Sequence, residues 1–376
     1  MEDSLMQDNE RLLNSRTGSK DNKLIRSWLF KCLTLPLLAT LVSTPASAQF
    51  NSCHLYVPTH ESNSISVIDA WTGQVIAVIP VQIQPLAVAI TPNGAFAYAT
   101  NSGWVFGSNS VSVIDTNSNT VVATVPVGAF PVGVAITPNG AFAYVANYNS
   151  NSISVISTAT NTVTTVVGLG VGAGPWGLAI TPNGAFVYVT DVNSNNVSVI
   201  DTATNTVIAT VPVGNGPTAV AITPNGAFGY VTNQSSDTVS VISTATNTVV
   251  ATVPVVSGSS NSGPYAVGIA WSGAFAYVAN SAASTVSVID TNSNTVVSTI
   301  AVGSAPHGVV LDGVFAYVTN QISNTVSIID TRTNAVVYTV EGVALMPEGI
   351  AMIYGNGTSG TTPPAPGASP CRSLGG

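Results

Sequence analysis

The chain has 376 residues, eight Lys and Arg against sixteen Asp and Glu, and only 6% charged side chains in all. All three lysines and three of the five arginines lie in the first 31 residues, so from Gln49 onward Arg332 and Arg372 face eleven acidic groups. That distribution excludes nucleic-acid binding, which needs clustered cations to neutralise phosphates, and no apolar run after residue 48 reaches the ~18 residues of a spanning helix.

Residues 1–48 read as an export segment. Lys20, Lys23 and Arg26 precede a mostly apolar stretch at 28–42, interrupted by Lys31, and Ala46-Ser47-Ala48 fits a small-x-small cleavage site. An uncleaved anchor is the alternative, disfavoured by the short apolar core. Export predicts a secreted, periplasmic or cell-surface protein, not an integral membrane one. Cleavage leaves Cys53 and Cys371 near the two ends, as a disulfide in an oxidising compartment or as two separate thiols.

The stretch 131–168 reads PVGVAITPNGAFAYVANYNSNSISVISTATNTVTTVVG, and close copies of it recur through the rest of the chain. Tyr56, Tyr98, Tyr144, Tyr188, Tyr230, Tyr277 and Tyr317 mark seven copies, at spacings of 42, 46, 44, 42, 47 and 40 residues. One period running throughout argues for a single repeat domain.

Each copy divides into four short strands ended by turn residues. In the third, strand a covers 133–136 and ends in Thr137-Pro138-Asn139-Gly140. Pro sets φ for a type I turn there, and Gly takes the left-handed position after it. The same turn returns at 91–94, 181–184 and 223–226, and shortens to Trp271-Ser272-Gly273 and Leu311-Asp312-Gly313. Strand b, 141–145, alternates large and small, with Phe142 and Tyr144 on one face and alanines on the other. Strand c, 152–156, alternates apolar and hydroxyl residues, and strand d, 162–167, is rich in Val and Thr.

Prolines within strand d (Pro80, Pro126, Pro212, Pro254) make it the outer edge, where a missing N–H is tolerated. Strand a, with its small Gly and Ala, is then innermost. Radial four-stranded antiparallel sheets, one per 40–47 residues, make an all-β, seven-bladed β-propeller over 49–354. The first copy lacks strand a, and the chain supplies an orphan one at 347–352. Docked inside the first blade, it closes the ring and leaves no open edge. Residues 355–376, rich in Gly, Pro, Ser and Thr, are expected to form a flexible tail, and the whole to be monomeric.

Strand b runs on as Tyr-Val-Ala-Asn at 144–147 and 277–280, and as Tyr-Val-Thr-Asn at 230–233 and 317–320. These motifs resemble the YVTN β-propeller repeat, known from surface-layer and other exported prokaryotic proteins. The resemblance covers about residues 50–354 and departs at Tyr98-Ala99-Thr100-Asn101, Tyr188-Val189-Thr190-Asp191 and Tyr56-Val57-Pro58-Thr59. It implies a propeller displayed outside the cytoplasm.

Connectivity puts the b–c and d–a loops on one face and the tight a–b and c–d turns on the other. Strand a opens on the first face with Pro-x-Gly or Pro-x-Ala, so x lines the rim of the channel. Around the ring x is Leu86, Val132, Trp176, Thr218, Tyr265, His307 and Glu348. His307 and Glu348 fall in adjacent blades. A His beside a carboxylate can do acid–base work or hold a divalent metal; otherwise the two are solvated rim residues. Their Pro-His-Gly and Pro-Glu-Gly segments are similar to rim motifs of streptogramin-lyase-like and lactonase-like seven-bladed propellers, which implies a lyase or lactone hydrolase.

Trp104 and Phe106 in the long second b–c loop, with Tyr148, Trp176, Thr218 and Tyr265, offer groups for a polysaccharide or protein partner. The alternative is a loop that folds its aromatics inward. His54 stands where other copies have Phe, and His60 lies in a first b–c loop expected to be exposed. Asp191-Val192-Asn193-Ser194-Asn195 is oxygen-rich but lacks the glycine and closing Glu of an EF-hand. Asp69, Asp115, Asp201, Asp290 and Asp330 precede the c–d turns and are expected to bind turn backbone, since Ser157 and Ser243 replace them in two copies. Nucleophile-elbow, zincin, phosphate-loop and haem-attachment motifs are all missing. The resulting expectation is a non-enzymatic exported binding or cell-envelope module without a cofactor. Its alternative is a lyase or lactonase centred on His307 and Glu348, with or without a divalent metal.

Overall fold

The computed structural model describes residues 53–103, 107–255 and 263–354. The export segment, Trp104, Phe106, Cys371 and the C-terminal tail lie outside the described residues. Every regular element among those described is a strand, and the strands form seven four-stranded antiparallel sheets, each ordered a-b-c-d. The third blade comprises Pro131–Ile136, Phe142–Asn147, Ser152–Ser157 and Thr162–Gly168. The a strands of successive blades lie side by side, and the d strands expose alternate residues to solvent. The prolines expected at the outer edge sit at the ends of d strands, as in Thr206–Pro212.

The large/small alternation of strand b builds the core. Each Tyr packs with the inward-facing residues of its own c strand against the small face of the next blade. Tyr98, Val111 and Val113, for instance, meet Ala143, Val145 and Ile156. Seven such cores, one per blade junction, encircle the molecule. The motif tyrosines are at most 1% exposed. Phe142 shares their face but stands at the start of its strand, beyond the neighbouring blade's cover, and is 38% exposed.

A polar link accompanies each apolar junction. The hydroxyls of Tyr56, Tyr98, Tyr144, Tyr188, Tyr230 and Tyr277 donate to Oδ1 of an asparagine in the following blade, at 2.6 to 2.9 Å. Those asparagines (Asn119, Asn161, Asn205, Asn247, Asn294, Asn334) occupy the left-handed position of the c–d turn, a conformation Asn tolerates well. Burial pushes the phenols up, to about 12 for Tyr98 and Tyr188, so they remain donors.

The ring closes through the C-terminal strand. Ala351–Ile353 pairs antiparallel with His54–Thr59, and Pro347 makes an isolated bridge to Thr59. The strand is shorter than the expected 347–352, because Glu348, Gly349 and Ile350 belong to a bulge. Between the two pairings, four steps on the a side oppose three on the b side. Other blades carry an equivalent irregularity: Pro131 pairs with Asn147, and Val134 already with Val145.

Cys53 immediately precedes the first b strand, is 1% exposed and is disulfide-bonded.

Candidate active site

The bulge in strand a gives the rim its chemistry. An extra residue kinks the strand, breaks the alternation and re-aims one side chain. In each copy that side chain is the x of Pro-x-Gly or Pro-x-Ala, and all seven line one depression of about 130 Å³ at the b–c/d–a mouth. Where glycine follows, it permits the close approach of neighbouring a strands. A Cβ on Gly133 would stand 2.4 Å from the carbonyl oxygen of Trp176, and one on Gly308 2.8 Å from that of Glu348.

Threonine of the b-strand motif ties these elements across blades. Thr319 Oγ1 accepts from the Gly308 amide at 2.8 Å and donates to the Glu348 carbonyl. Thr100 spans the same gap to Val132 O at 2.7 Å. In the third and sixth copies Ala146 and Ala279 replace this threonine. Glu348 is held on its other side as well, by its amide to Pro58 O and by the Gly349 amide to Leu86 O.

His307 and Glu348 are brought together as a pair. Nδ1 of His307 lies 2.8 Å from Oε2 of Glu348, and Gln321 Nε2 donates to Oε1 at 2.6 Å. Their side chains are 13% and 8% exposed, so they are not solvated rim residues. A carboxylate only accepts, so this contact assigns the imidazole proton to Nδ1 and leaves Nε2 as the basic nitrogen. Tyr265 stacks on the imidazole with centroids 4.0 Å apart and planes 15° from parallel. Burial pushes its phenol well above the ordinary value, Glu348 adds to the effect, and a hydrogen bond with the Trp176 indole opposes it slightly. Indole can only donate, so the Tyr265 O–H proton is free to point elsewhere.

The aromatic wall continues around the rim. Trp176 meets Tyr265 edge-on at 6.5 Å and Tyr148 at 5.5 Å, and Phe130 closes the row 5.7 Å from Tyr148. Tyr148 also donates to Asn193 Oδ1 at 3.1 Å. Thr218 lines the depression, but its hydroxyl is 2.8 Å from Tyr265 O and donates there. It is 4% exposed, so it acts as a tie between blades instead of the expected ligand contact.

Other expectations resolve less eventfully. His54 faces Asp69 across the sheet, and burial lowers its pKa. The His60 side chain is 17% exposed, less than expected, because its amide is bound by Met346 O in the loop that carries the closing strand. The turn aspartates do cap backbone, as in Asp115 Oδ1 with the amides of Asn117 and Ser118. Asp191 does not open toward an ion. It is 2% exposed and accepts from Ser198 Oγ at 2.6 Å.

Gln321 and Phe130 escaped sequence reasoning. Gln321 belongs to a second ring one residue past the b-strand motif: His60, Ser102, Tyr148, Val192, Gln234, Ser281, Gln321. Copy-to-copy variation there was a readable signal. Phe130 adopts φ +54, where three equivalent positions are Gly174, Gly216 and Gly263. A bulky residue in that region is uncommon and strained.

Among the described residues no three His, Cys, Asp or Glu side chains converge as a metal site. A larger cavity of about 460 Å³ opens at the opposite mouth, lined by Ile90, Ile136, Ile180, Ile222, Pro92 and Trp271 among others. It offers no acid or base, and the hydroxyl of Tyr354 at its wall is donated to Leu311 O. The His307–Glu348 pair lines the smaller depression.

A family model described as lactonase, 7-bladed β-propeller, matches residues 55–167, 131–207, 158–251 and 178–337. No curated protein matches the sequence significantly. Among solved structures, hydrazine synthase of Kuenenia stuttgartiensis is 26% identical, with TM-score 0.66 over 74% of this chain and 92% of that one. A putative 6-phosphogluconolactonase of Bacteroides fragilis is 17% identical, with TM-score 0.69 over 82% and 99%. The periplasmic gluconolactonase of Pseudomonas aeruginosa is 18% identical, with TM-score 0.67 over 80% and 99%. Identities of 17% and 18% establish a common fold and nothing finer. The matched family is lactonase-like, and the surface-layer label suggested by the repeat motif is not the one found.

Proposed function

The chain belongs to the seven-bladed lactonase β-propeller family, and from that premise we propose that it hydrolyses cyclic esters at the His307–Glu348 pair. The observation that carries this reading is the buried 2.8 Å contact between His307 Nδ1 and Glu348 Oε2 on the channel rim. It leaves Nε2 as the ring nitrogen that Glu348 does not engage. Gluconolactonase and putative 6-phosphogluconolactonase are among the structurally similar proteins, which favours sugar-acid lactones as the substrate class. This catalytic reading replaces the surface-binding module as the better-supported role, and the aromatic wall becomes a substrate platform in place of a polysaccharide or protein dock.

In the proposed reaction, Nε2 of His307 takes a proton from water as the water oxygen bonds to the lactone carbonyl carbon. Glu348 accepts the Nδ1–H bond and stabilises the imidazolium that forms. The tetrahedral intermediate collapses by breaking the ring C–O bond, and His307 returns the proton to the departing alkoxide. The Tyr265 hydroxyl, kept protonated by burial, is assigned as the donor to the developing oxyanion. Both oxygens of Glu348 and Nδ1 of His307 are already engaged, so His307 serves as base and then acid with Glu348 as its orienting carboxylate, and the two are not read as metal ligands. Export to an oxidising compartment fits the bonded Cys53.

The test is acid release from a panel of five- and six-membered lactones, followed by pH-stat at neutral pH. Ring opening well above the spontaneous rate upholds the proposal; a rate indistinguishable from background across the panel removes it.

A further inference from the structure

The rim depression carries an electrostatic preference that the reaction alone does not dictate. A phosphate group is held by Arg or Lys, by helix N-termini or by nests of backbone amides. From Gln49 to the end, the only Lys or Arg side chains are Arg332 and Arg372, and Arg372 lies outside the described residues. Arg332 sits on the c–d turn face, away from the rim, and both its Nε and Nη2 are bound to the Asp330 carboxylate. No helix is present among the described residues. The seven side chains that line the depression include one carboxylate and no Lys or Arg, and Glu61 and Glu341 add negative charge in the surrounding loops. A phosphorylated lactone would bring two further negative charges into a site already holding Glu348.

The same rim is well equipped for an uncharged ring. Trp176 and Tyr265, half-buried and set edge-on to each other, offer apolar faces for the C–H edges of a sugar-like ring. Leu86 and Val132 extend that apolar surface. We infer that the site takes unphosphorylated, uncharged lactones seated against Trp176 and Tyr265, and discriminates against their phosphorylated counterparts. This rests on the lactone-hydrolysis reading above and narrows it. The discrimination arises because the described rim offers phosphate no Lys or Arg and sets the Glu348 carboxylate against it.

The experiment compares D-glucono-1,5-lactone with its 6-phosphate as substrates of the purified chain, and the corresponding lactams as non-reacting ligands read by tryptophan fluorescence. The expected result is kcat/KM about 100-fold or more higher for the neutral lactone. Trp176→Ala should raise KM for the neutral lactone with little change in kcat. Trp176→Phe, which keeps an aromatic face and spares the fold, should restore most of the loss. Equal or better turnover of the phosphorylated substrate overturns the inference. If neither lactone opens, the reaction proposal fails, and the lactams decide separately. Binding of the neutral lactam alone then upholds the charge preference, whereas binding of the phosphorylated one, or of neither, overturns it.

Discussion

The hydroxyl of Tyr317 donates to Oδ2 of Asp312 at 3.1 Å, inside its own blade, where the six other motif tyrosines reach an asparagine of the blade that follows. The exception marks the seam of the ring. The next blade here is the first, and its c–d turn has Gly73 in the asparagine position, with the ring of Tyr338 packed over the place a Cβ would take. Asp312 takes over three roles at once. Its Oδ1 accepts from the amides of Val314 and Phe315, closing the shortened a–b turn, while Oδ2 receives Tyr317. The seam is also where His307 of the seventh blade meets Glu348 of the closing strand, so the site lies where the repeat is interrupted.

Asp312→Ala should therefore cost more than loss of any single tyrosine link. It strands two buried amides and a hydroxyl, for which ~2–4 kcal/mol is expected. Tyr144→Phe, which removes one hydrogen bond to Asn205, should cost ~1 kcal/mol. Urea denaturation of the two variants checks the order. Equal losses would mean that the seam has no special dependence on Asp312.

Gly308→Ala tests positioning without touching either reacting group. The added methyl would meet the Glu348 carbonyl at 2.8 Å and Thr319 Oγ1 at 2.9 Å. The backbone of the closing strand must shift, and a displacement of that order is expected to lower kcat by ~10–100-fold. KM should change little, and the Tm should fall by only a few degrees. A variant with unchanged kcat would show that the pair tolerates movement of Glu348.

Asp191 supplies a pH signature of the fold. Burial pushes its carboxyl up to about 6 from an ordinary 3.8, partly offset by Ser198. The native state then holds the proton more tightly than the unfolded chain, so stability is greatest below about 3.8 and is lost as pH rises through about 6. The difference corresponds to ~3 kcal/mol above that window. Asp191→Asn, which restores the amide found at five equivalent positions, should gain about that much at pH 8 and flatten the stability profile between pH 4 and 7. Parallel profiles for the two proteins would contradict this assignment.

Chelation should leave turnover intact. With Nδ1 of His307 and both oxygens of Glu348 engaged, the rim presents one free donor nitrogen, and a divalent ion requires several ligands. Prolonged dialysis against EDTA followed by assay checks this. Loss of activity that added Ca²⁺, Mg²⁺ or Zn²⁺ restores would require a metal in the mechanism.

The fold was legible because its determinants are local and repeated seven times. Alternation in strand b, the Thr-Pro-Asn-Gly turn and prolines at the ends of strand d each specify geometry within a few residues. The x residues of Pro-x-Gly were legible as rim residues for the same reason. Their interactions were not. Whether His307 and Glu348 touch depends on how the last strand docks across 41 residues, and sequence spacing alone left them open to solvent. Thr218 looked like a ligand contact because it varies, but a short hydroxyl beside a neighbouring carbonyl is consumed by it. Gln321 was overlooked because the variation at its ring of positions shows only that the copies differ there, and its role follows once its partner, Glu348, is placed.

The most direct measurement is single-turnover ring opening of a neutral six-membered lactone by the intact chain, His307→Ala and Glu348→Gln, each checked for an unchanged β-sheet circular dichroism spectrum. A general base of this type contributes ~10²–10⁴-fold, so both variants should fall by at least ~100-fold. Two folded variants that retain the full rate would contradict the account and move the chemistry away from this pair.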